Sequence, residues 1–298
     1  MQKRLTHAQL AKMSAMPRPK IDDFMAAWPT MPLNERRRVA RALVQLGEEN
    51  VELDYNDLFL RLLDDPDTEV RTQAIEGLWE DERASTADAL IRVARSADEA
   101  VRSIALKALG RFAYRAALGE LDPAVAARVR DVLVESSAAS MPLAVRRRAV
   151  EAVGYLGASD AVPDIIREAH RSENPGLRAS AVRAMGFASD VAWLNTVLRE
   201  MESEDPEMRF EAAQAAGQIE DERAVPLLIR LTGDDDQEVR LAAVTSLGAI
   251  GGPAAREALT RLLRSGDEVL SEAADAALDE LDVGTDTLGV RVRDINPN

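Results

Sequence analysis

Apolar positions along this chain return at helical spacing, inside a unit that the chain itself repeats. Seven segments align on an apolar residue with small residues four and seven positions on: VRTQAIEGLW from Val70, VRSIALKALG from Val101, VRRRAVEAVG from Val145, LRASAVRAMG from Leu177, MRFEAAQAAG from Met208, VRLAAVTSLG from Val239 and a weaker VLSEAADAAL from Val269. Successive starts lie 31, 44, 32, 31, 31 and 30 residues apart, and the long interval carries an insertion from Leu118 to Pro142. A degenerate eighth copy, RRRVARALVQ from Arg36, is expected to cap the N-terminal end.

Each copy predicts an amphipathic helix. At about 100° per residue, positions +4, +7 and +8 fall on one side and +2, +3 and +6 on the other. Position +4 is alanine throughout (Ala74, Ala105, Ala149, Ala181, Ala212, Ala243, Ala273) and position +7 is always small (Gly77, Ala108, Ala152, Ala184, Ala215, Ser246, Ala276). Small residues at two fixed points imply a close neighbour on that face. Five copies then reach a glycine (Gly110, Gly154, Gly186, Gly217, Gly248), which predicts helix ends in a left-handed conformation. Asp67, Asp98, Asn174, Asp205 and Asp236, three before the starts, fit N-caps, with Pro175 and Pro206 at the first helical position.

Between these helices lie others: YNDLFLRLL, ADALIRVAR, VPDIIREAH, AWLNTVLREM, AVPLLIRLT and REALTRLLR, two of them opened by Pro163 and Pro226. Each unit therefore reads as helix–turn–helix, stacked so that no unit buries its face alone. The arginine at +1 (Arg71, Arg102, Arg146, Arg178, Arg209, Arg240) falls inside the apolar arc, where an unpaired charge is costly. Arginines in register predict a ladder of buried pairs with the acidic caps of the same or the adjacent turn, structural rather than ligand-binding.

The pattern D-x-x-V-R-x-x-A-x-x-A-L-G, as in Asp98–Gly110 and Asp236–Gly248, resembles the HEAT-repeat family, in particular its short phycobilisome-lyase-type repeats, over residues 33 to 282. The resemblance implies an all-α fold, a right-handed α-solenoid of about eight helix pairs, with second helices lining the concave face and an aspartate–arginine ladder in the turns (Asp67, Asp98, Asp205 and Asp236 with the +1 arginines). This chain departs from the pattern at Leu270, which replaces arginine, at Trp79, which replaces the terminal glycine, and in the insertion after Gly119. The organisation expected is an N-terminal extension over 1–20, frayed or helical, a single solenoid over 21–282 with the insertion at about 118–142, and a tail over 283–298. The insertion reads as one lengthened first helix from Pro123 to about Glu135, then a Ser/Ala-rich linker. The tail alternates like a strand without an evident partner.

If second helices line the concave side, rows +3, +6 and +10 are the exposed ones, and they vary from copy to copy where the buried rows do not. The candidate partner-binding residues are Lys107, Arg111, Arg148, Tyr155, Arg183, Phe187, Gln214 and Gln218; the central cations and aromatics have a composition common at interface hot spots.

Composition narrows the function further. The chain has 298 residues, 46% hydrophobic but 4% aromatic, so its core must be built of many small contacts. Cysteine is absent and there are two histidines, His7 and His170, which removes disulfides, thiolate metal sites and cysteine nucleophiles. His170, at the end of a first helix, reads as solvated. The net charge of −15 is uneven: +4 over 1–50, −9 over 51–100, +4 over 101–153, zero over 154–199 and −14 over 200–282. That balance argues against nucleic acid and anionic lipid, although the middle patch is basic. Neither a phosphate-binding glycine loop nor a membrane-length apolar run occurs, and the basic N-terminus lacks the apolar stretch of a secretory signal.

Among repeat families with chemistry, deoxyhypusine hydroxylases hold iron with repeated His-Glu pairs, which this sequence lacks. Alkylpurine glycosylases of related repeat type need a basic groove. Bilin lyases share the repeat type but have no residue signature to carry over. The expectation is a non-enzymatic, cytoplasmic scaffold or adaptor that uses no cofactor and binds a protein partner along the concave face. A bilin-lyase-like or enzyme-associated subunit is the alternative, and behind it nucleic-acid binding through the central basic patch.

Overall fold

The computed structural model describes residues 5–96, 98–157 and 161–293, the side chains of 283–293 excepted. Every regular element among the described residues is helical. The chain forms two compact units, one ending at Leu156 and the other beginning at Gly157, where the sequence suggests one continuous array.

In the first unit a short helix α1 (His7–Ala11) precedes four pairs: α2 (Arg18–Ala27) with α3 (Leu33–Glu49), α4 (Asn56–Leu62) with α5 (Thr68–Gly77), α6 (Ala84–Ala94) with α7 (Glu99–Ala117), and α8 (Pro123–Ser136) with α9 (Leu143–Val153). The second unit contributes α10 (Val162–His170) with α11 (Pro175–Phe187), α12 (Leu194–Glu200) with α13 (Pro206–Ile219), α14 (Val225–Leu231) with α15 (Gln237–Ile250), and α16 (Gly252–Leu262) with α17 (Glu268–Arg293). The odd-numbered second helices stack on one another, α3–α5–α7–α9 in one unit and α11–α13–α15–α17 in the other. Within each unit the successive second helices are in contact, the all-α stacking of a helical-repeat solenoid.

The alanines explain the close stacking. Ala74, Ala105, Ala149, Ala181, Ala212 and Ala243 are all fully buried. Asp67, Asp98, Asn174, Asp205 and Asp236 cap their helices by accepting backbone N–H bonds, as at Val70, Val101, Leu177, Glu207 and Val239. Each such cap is worth about 1 kcal/mol.

The glycines do something other than expected. Gly110, Gly186, Gly217 and Gly248 lie inside helices, which run on to Ala117, Phe187, Ile219 and Ile250, and Gly154 keeps a right-handed φ of −54°. The role of the four inside helices is contact. A Cβ on Gly217 would stand 2.5 Å from the Ser246 hydroxyl, and one on Gly248 would stand 2.9 Å from the Ala277 Cβ. They are the points where successive second helices touch, and a methyl group would push the stack apart.

The last copy is shifted by one residue from its sequence alignment. Leu270 is buried and Val269 is 46% exposed, so Leu270 takes the valine position. Asp267 caps it through Leu270 N, Ala274 and Ala277 replace Ala273 and Ala276 on the buried side, and Ser271 stands where other copies have arginine. With that correction Leu177, Met208, Val239 and Leu270 recur every 31 residues.

The arginine ladder is present, but its bonds go mainly to main-chain oxygens. Arg178 donates to the carbonyls of Ser172 and Glu173, Arg209 to Ser203 and Glu204, and Arg240 to Asp234 and Asp235, the same two offsets each time. Arg102 reaches Ala94 O and Arg146 reaches Ser137 O, and Ser271 Oγ reaches Leu263 O in the last copy. The carbonyls of Ala94, Ser137 and Leu263 end the preceding first helix and those at 172–173, 203–204 and 234–235 lie in the turn just after it, where acceptors without a helical donor let a cation fit without an acid. Carboxylate pairing occurs in part: Arg71 with the next cap Asp98 at 2.7 Å, and Arg209 with Asp234, two residues before the cap Asp236, at 2.8 Å. Asp67 pairs backward with Arg37 at 2.7 Å. Asp205 and Asp236 have helix capping as their observed hydrogen-bonding role.

The ends are more regular than expected. Leu10 on α1 is fully buried, Tyr55 Oη donates to its carbonyl at 3.2 Å, and Arg38 reaches the carbonyl of Leu5 at 2.8 Å, so residues 5–20 belong to the first unit. In the insertion, α8 matches the expected helix, and α7 extends two turns past Gly110. The backbone of 283–293 continues α17 as helix instead of the strand-like alternation, while 294–298 lie outside the described residues.

Candidate partner-binding surface

The eight candidate residues divide between the two units. In the first, Lys107 is exposed on α7. Arg111 is not a surface group: its Nη2 donates to the carbonyls of Leu78 and Asp81, and its guanidinium lies 4.8 Å from the Phe112 ring centre. Leu78 is the C-cap of α5, so Arg111 closes that helix end just as the +1 arginines close theirs. Burial pushes the Arg111 pKa down, opposed by the charges of Asp81 and Glu82. Arg148 pairs with the buried Glu151 at 2.7 Å. Tyr155 meets Tyr114 edge-on with ring centres 6.0 Å apart and covers Gly110.

In the second unit Arg183 on α11 makes a two-pronged bond to Glu211 on α13, with Nε 2.8 Å from Oε2, and the Glu211 side chain is 5% exposed. The row holding Glu211 was expected to be open. Ser180, Glu211 and Ala242 are instead buried, because a helix within a stack is covered on two flanks and its contacted arc is wider than its apolar stripe. Phe187 is half-buried, and Gln214 and Gln218 are exposed. These last two line a groove of about 520 Å³ between α13 and α15, together with Phe210, Leu241, Thr245 and Ala249. Its floor is the Gly217–Ser246 contact, which brings the two helices close enough for their flanking side chains to form walls. A buried floor edged by the Gln214 and Gln218 amides, the Thr245 hydroxyl and the carboxylates of Glu220 and Glu238 suits a peptide backbone or a partner helix.

The rows of the second helices do not account for one further feature of the second unit. A cleft of about 330 Å³ opens on the first-helix row, lined by Arg167 and His170 of α10, its C-cap Arg171, Thr196 and Arg199 of α12, and Trp193 in the turn before α12. Arg167 lies 5.5 Å from the Trp193 ring centre and pairs with Asp164 at 2.9 Å. His170, expected to be solvated, bonds Glu200 at 3.0 Å. A row-by-row reading of second helices misses this cleft. Its signal in the sequence is three arginines and a tryptophan within residues 154–199, a stretch of zero net charge in an otherwise acidic half of the chain.

Residues 55–142 and 191–279 match the HEAT repeats family, and residues 145–168 match the PBS lyase HEAT-like repeat. The chain belongs to the HEAT-repeat family. Its fold is similar to the complex of CpcE and CpcF of phycocyanin lyase from Nostoc sp. PCC7120, with a TM-score of 0.52 and 19% identity, covering 76% of this chain and 94% of that one. It is similar also to importin beta, with a TM-score of 0.50 and 14% identity, covering 92% of this chain and 44% of the other. At these identities the likeness is one of fold. No curated protein sequence matches the chain. No helix among the described residues is long and apolar enough to cross a membrane.

Proposed function

We propose that this chain is a non-enzymatic scaffold that holds a protein partner against its second helices, with the α13–α15 groove as a principal contact. The observation that carries this reading is the division of labour along the second helices. Positions +4 and +7 are spent on stacking, whereas Gln214, Gln218 and Thr245 remain exposed around a groove that the stacking itself creates. A repeat protein keeps its packing rows constant and varies its binding rows, which matches that division. Arg183 and Arg148 are each bound to a glutamate rather than presenting free charge. The similar phycocyanin lyase structure is itself a complex of two chains, CpcE and CpcF, which accords with a protein partner.

Recovery of partners from native lysate by the tagged chain, beside a variant carrying Gln214→Arg and Thr245→Arg, tests the reading. Both side chains are exposed, so the fold is kept. A protein retained by the wild type and lost by the variant is expected. Identical recoveries from both would remove the groove from the binding surface.

A further inference from the structure

The first-helix cleft of the second unit has chemistry of its own, independent of the groove on the second helices. Residues 200–282 carry a net charge of −14, and most arginines of this unit are engaged: Arg183 with Glu211, Arg209 with Asp234, Arg223 with Asp221, Arg230 with Glu202 and Arg256 with Asp282. Arg171 and Arg199 break that rule, as does Arg264 in the turn after α16, outside the cleft lining. Arg171 and Arg199 are both exposed, neither has an ion pair or side-chain hydrogen bond among the described residues, and both line the same cleft. In a unit with so many spare carboxylates, two idle guanidiniums facing one hollow leave a site of locally reversed sign.

The remaining walls fit an acid rather than a simple inorganic ion. Trp193 is 9% exposed and gives the cleft an apolar side, steadied by Arg167 over its ring. His170 is held by Glu200. Asp190 lies at the rim, where its carboxylate is occupied in accepting the Ala192 backbone N–H at 2.8 Å. Arginine forks recognise carboxylates in two-pronged geometry, and an indole wall accommodates the methylene stem that carries the carboxylate. A cleft of about 330 Å³ has room for one or two side chains.

We infer that this cleft receives a glutamate- or aspartate-rich segment of a protein partner, with Arg171 and Arg199 binding its carboxylates and Trp193 packing on its stem. The excess of carboxylates over residues 200–282 disfavours an acidic segment elsewhere on that part of the unit.

Anisotropy of a fluorescein-labelled, glutamate-rich peptide, titrated with the full chain at low salt, is the test. Two variants have the same change in net charge: Arg171→Glu with Arg199→Glu in the cleft, and Arg261→Glu with Arg264→Glu, exposed on α16 and in the turn that follows it. The expected result is saturable binding by the wild type, weakened about tenfold or more by the cleft pair and little changed by the α16 pair. A peptide with glutamine in place of glutamate should not bind. Circular dichroism of each variant confirms that the helices remain. No binding by the wild type, equal weakening by both pairs, or equal binding of the glutamine peptide would each overturn the assignment. The Gln214→Arg, Thr245→Arg variant should bind the acidic peptide as the wild type does, which separates this site from the groove.

Discussion

Ser246 on α15 sits directly against Gly217 on α13, its Oγ donating to the carbonyl of Ala213 at 2.8 Å and filling the space where a Cβ would project. One hydroxyl thereby fixes the distance between two second helices and satisfies its own polarity in a buried position. The same contact forms the floor of the groove that Gln214 and Thr245 edge. Packing and candidate function meet at this pair.

Alanine should have opposite effects at two glycines. Gly47 lies in α3 with nothing nearer than Tyr55 at 4.0 Å, so Gly47→Ala gains helix propensity and should stabilise by about 0.5–1 kcal/mol. Gly217→Ala meets Ser246 at 2.5–3.0 Å, and overpacking of about 1–3 kcal/mol outweighs the same propensity gain. Urea unfolding of both variants measures the two signs; stabilisation by both would mean that the stack yields easily.

The corrected register of the last copy separates two adjacent apolar residues. Leu270→Asp places a charge at a buried position of α17 and should cost about 3 kcal/mol or more. Val269→Asp, at a position 46% exposed, should stay within about 0.5 kcal/mol. Thermal melts of the two variants decide between the registers, since the alignment from Val269 predicts the reverse order.

Acid should remove part of the turn chemistry. Hydrogen bonds from Arg209 hold the Asp234 carboxyl below its ordinary value against the opposing effect of burial, and Arg37 does the same for Asp67. The folded pKa lies below the unfolded one, so the stabilisation is complete above the unfolded value and is lost as pH falls through the folded value. The stability gap between wild type and Asp234→Asn should therefore stay level above about pH 5 and close below about pH 4. Urea midpoints across that range test this; a gap unchanged at low pH would mean that the Arg209 bond contributes no charge-dependent stability.

The period, the caps and the buried alanines were legible because each is a local property of one helix. Asp98 caps α7 whatever its neighbours do, and Ala105 lies on the same face as Val101 by helical geometry alone. The glycines were misread because the same residue serves two purposes: Gly217 resembles a helix stop, and only Ser246 on the next helix shows that it is a contact. The last copy was ambiguous because its alanines come in adjacent pairs, Ala273–Ala274 and Ala276–Ala277, and admit two registers. The aspartate caps could have decided it, since Asp267 stands three residues before Leu270. At the candidate site, Gln214 and Gln218 followed from the varying rows. Arg111 did not, because its partners are carbonyls at the end of a different helix, which leave no trace in residue types. The Trp193 cleft draws on two first helices and a turn, so no single periodic row contains it.

The 31-residue recurrence of Leu177, Met208, Val239 and Leu270 makes the length of this protein a discrete variable. Arg178, Arg209 and Arg240 make the same two carbonyl contacts, so a cut at equivalent points in two successive copies leaves ends that match. Unequal recombination within the gene could then add or remove one whole copy while every remaining helix keeps a neighbour of the kind it already has. Copy number and surface chemistry can drift separately: the first sets how far the stack reaches, and the second what each added step touches.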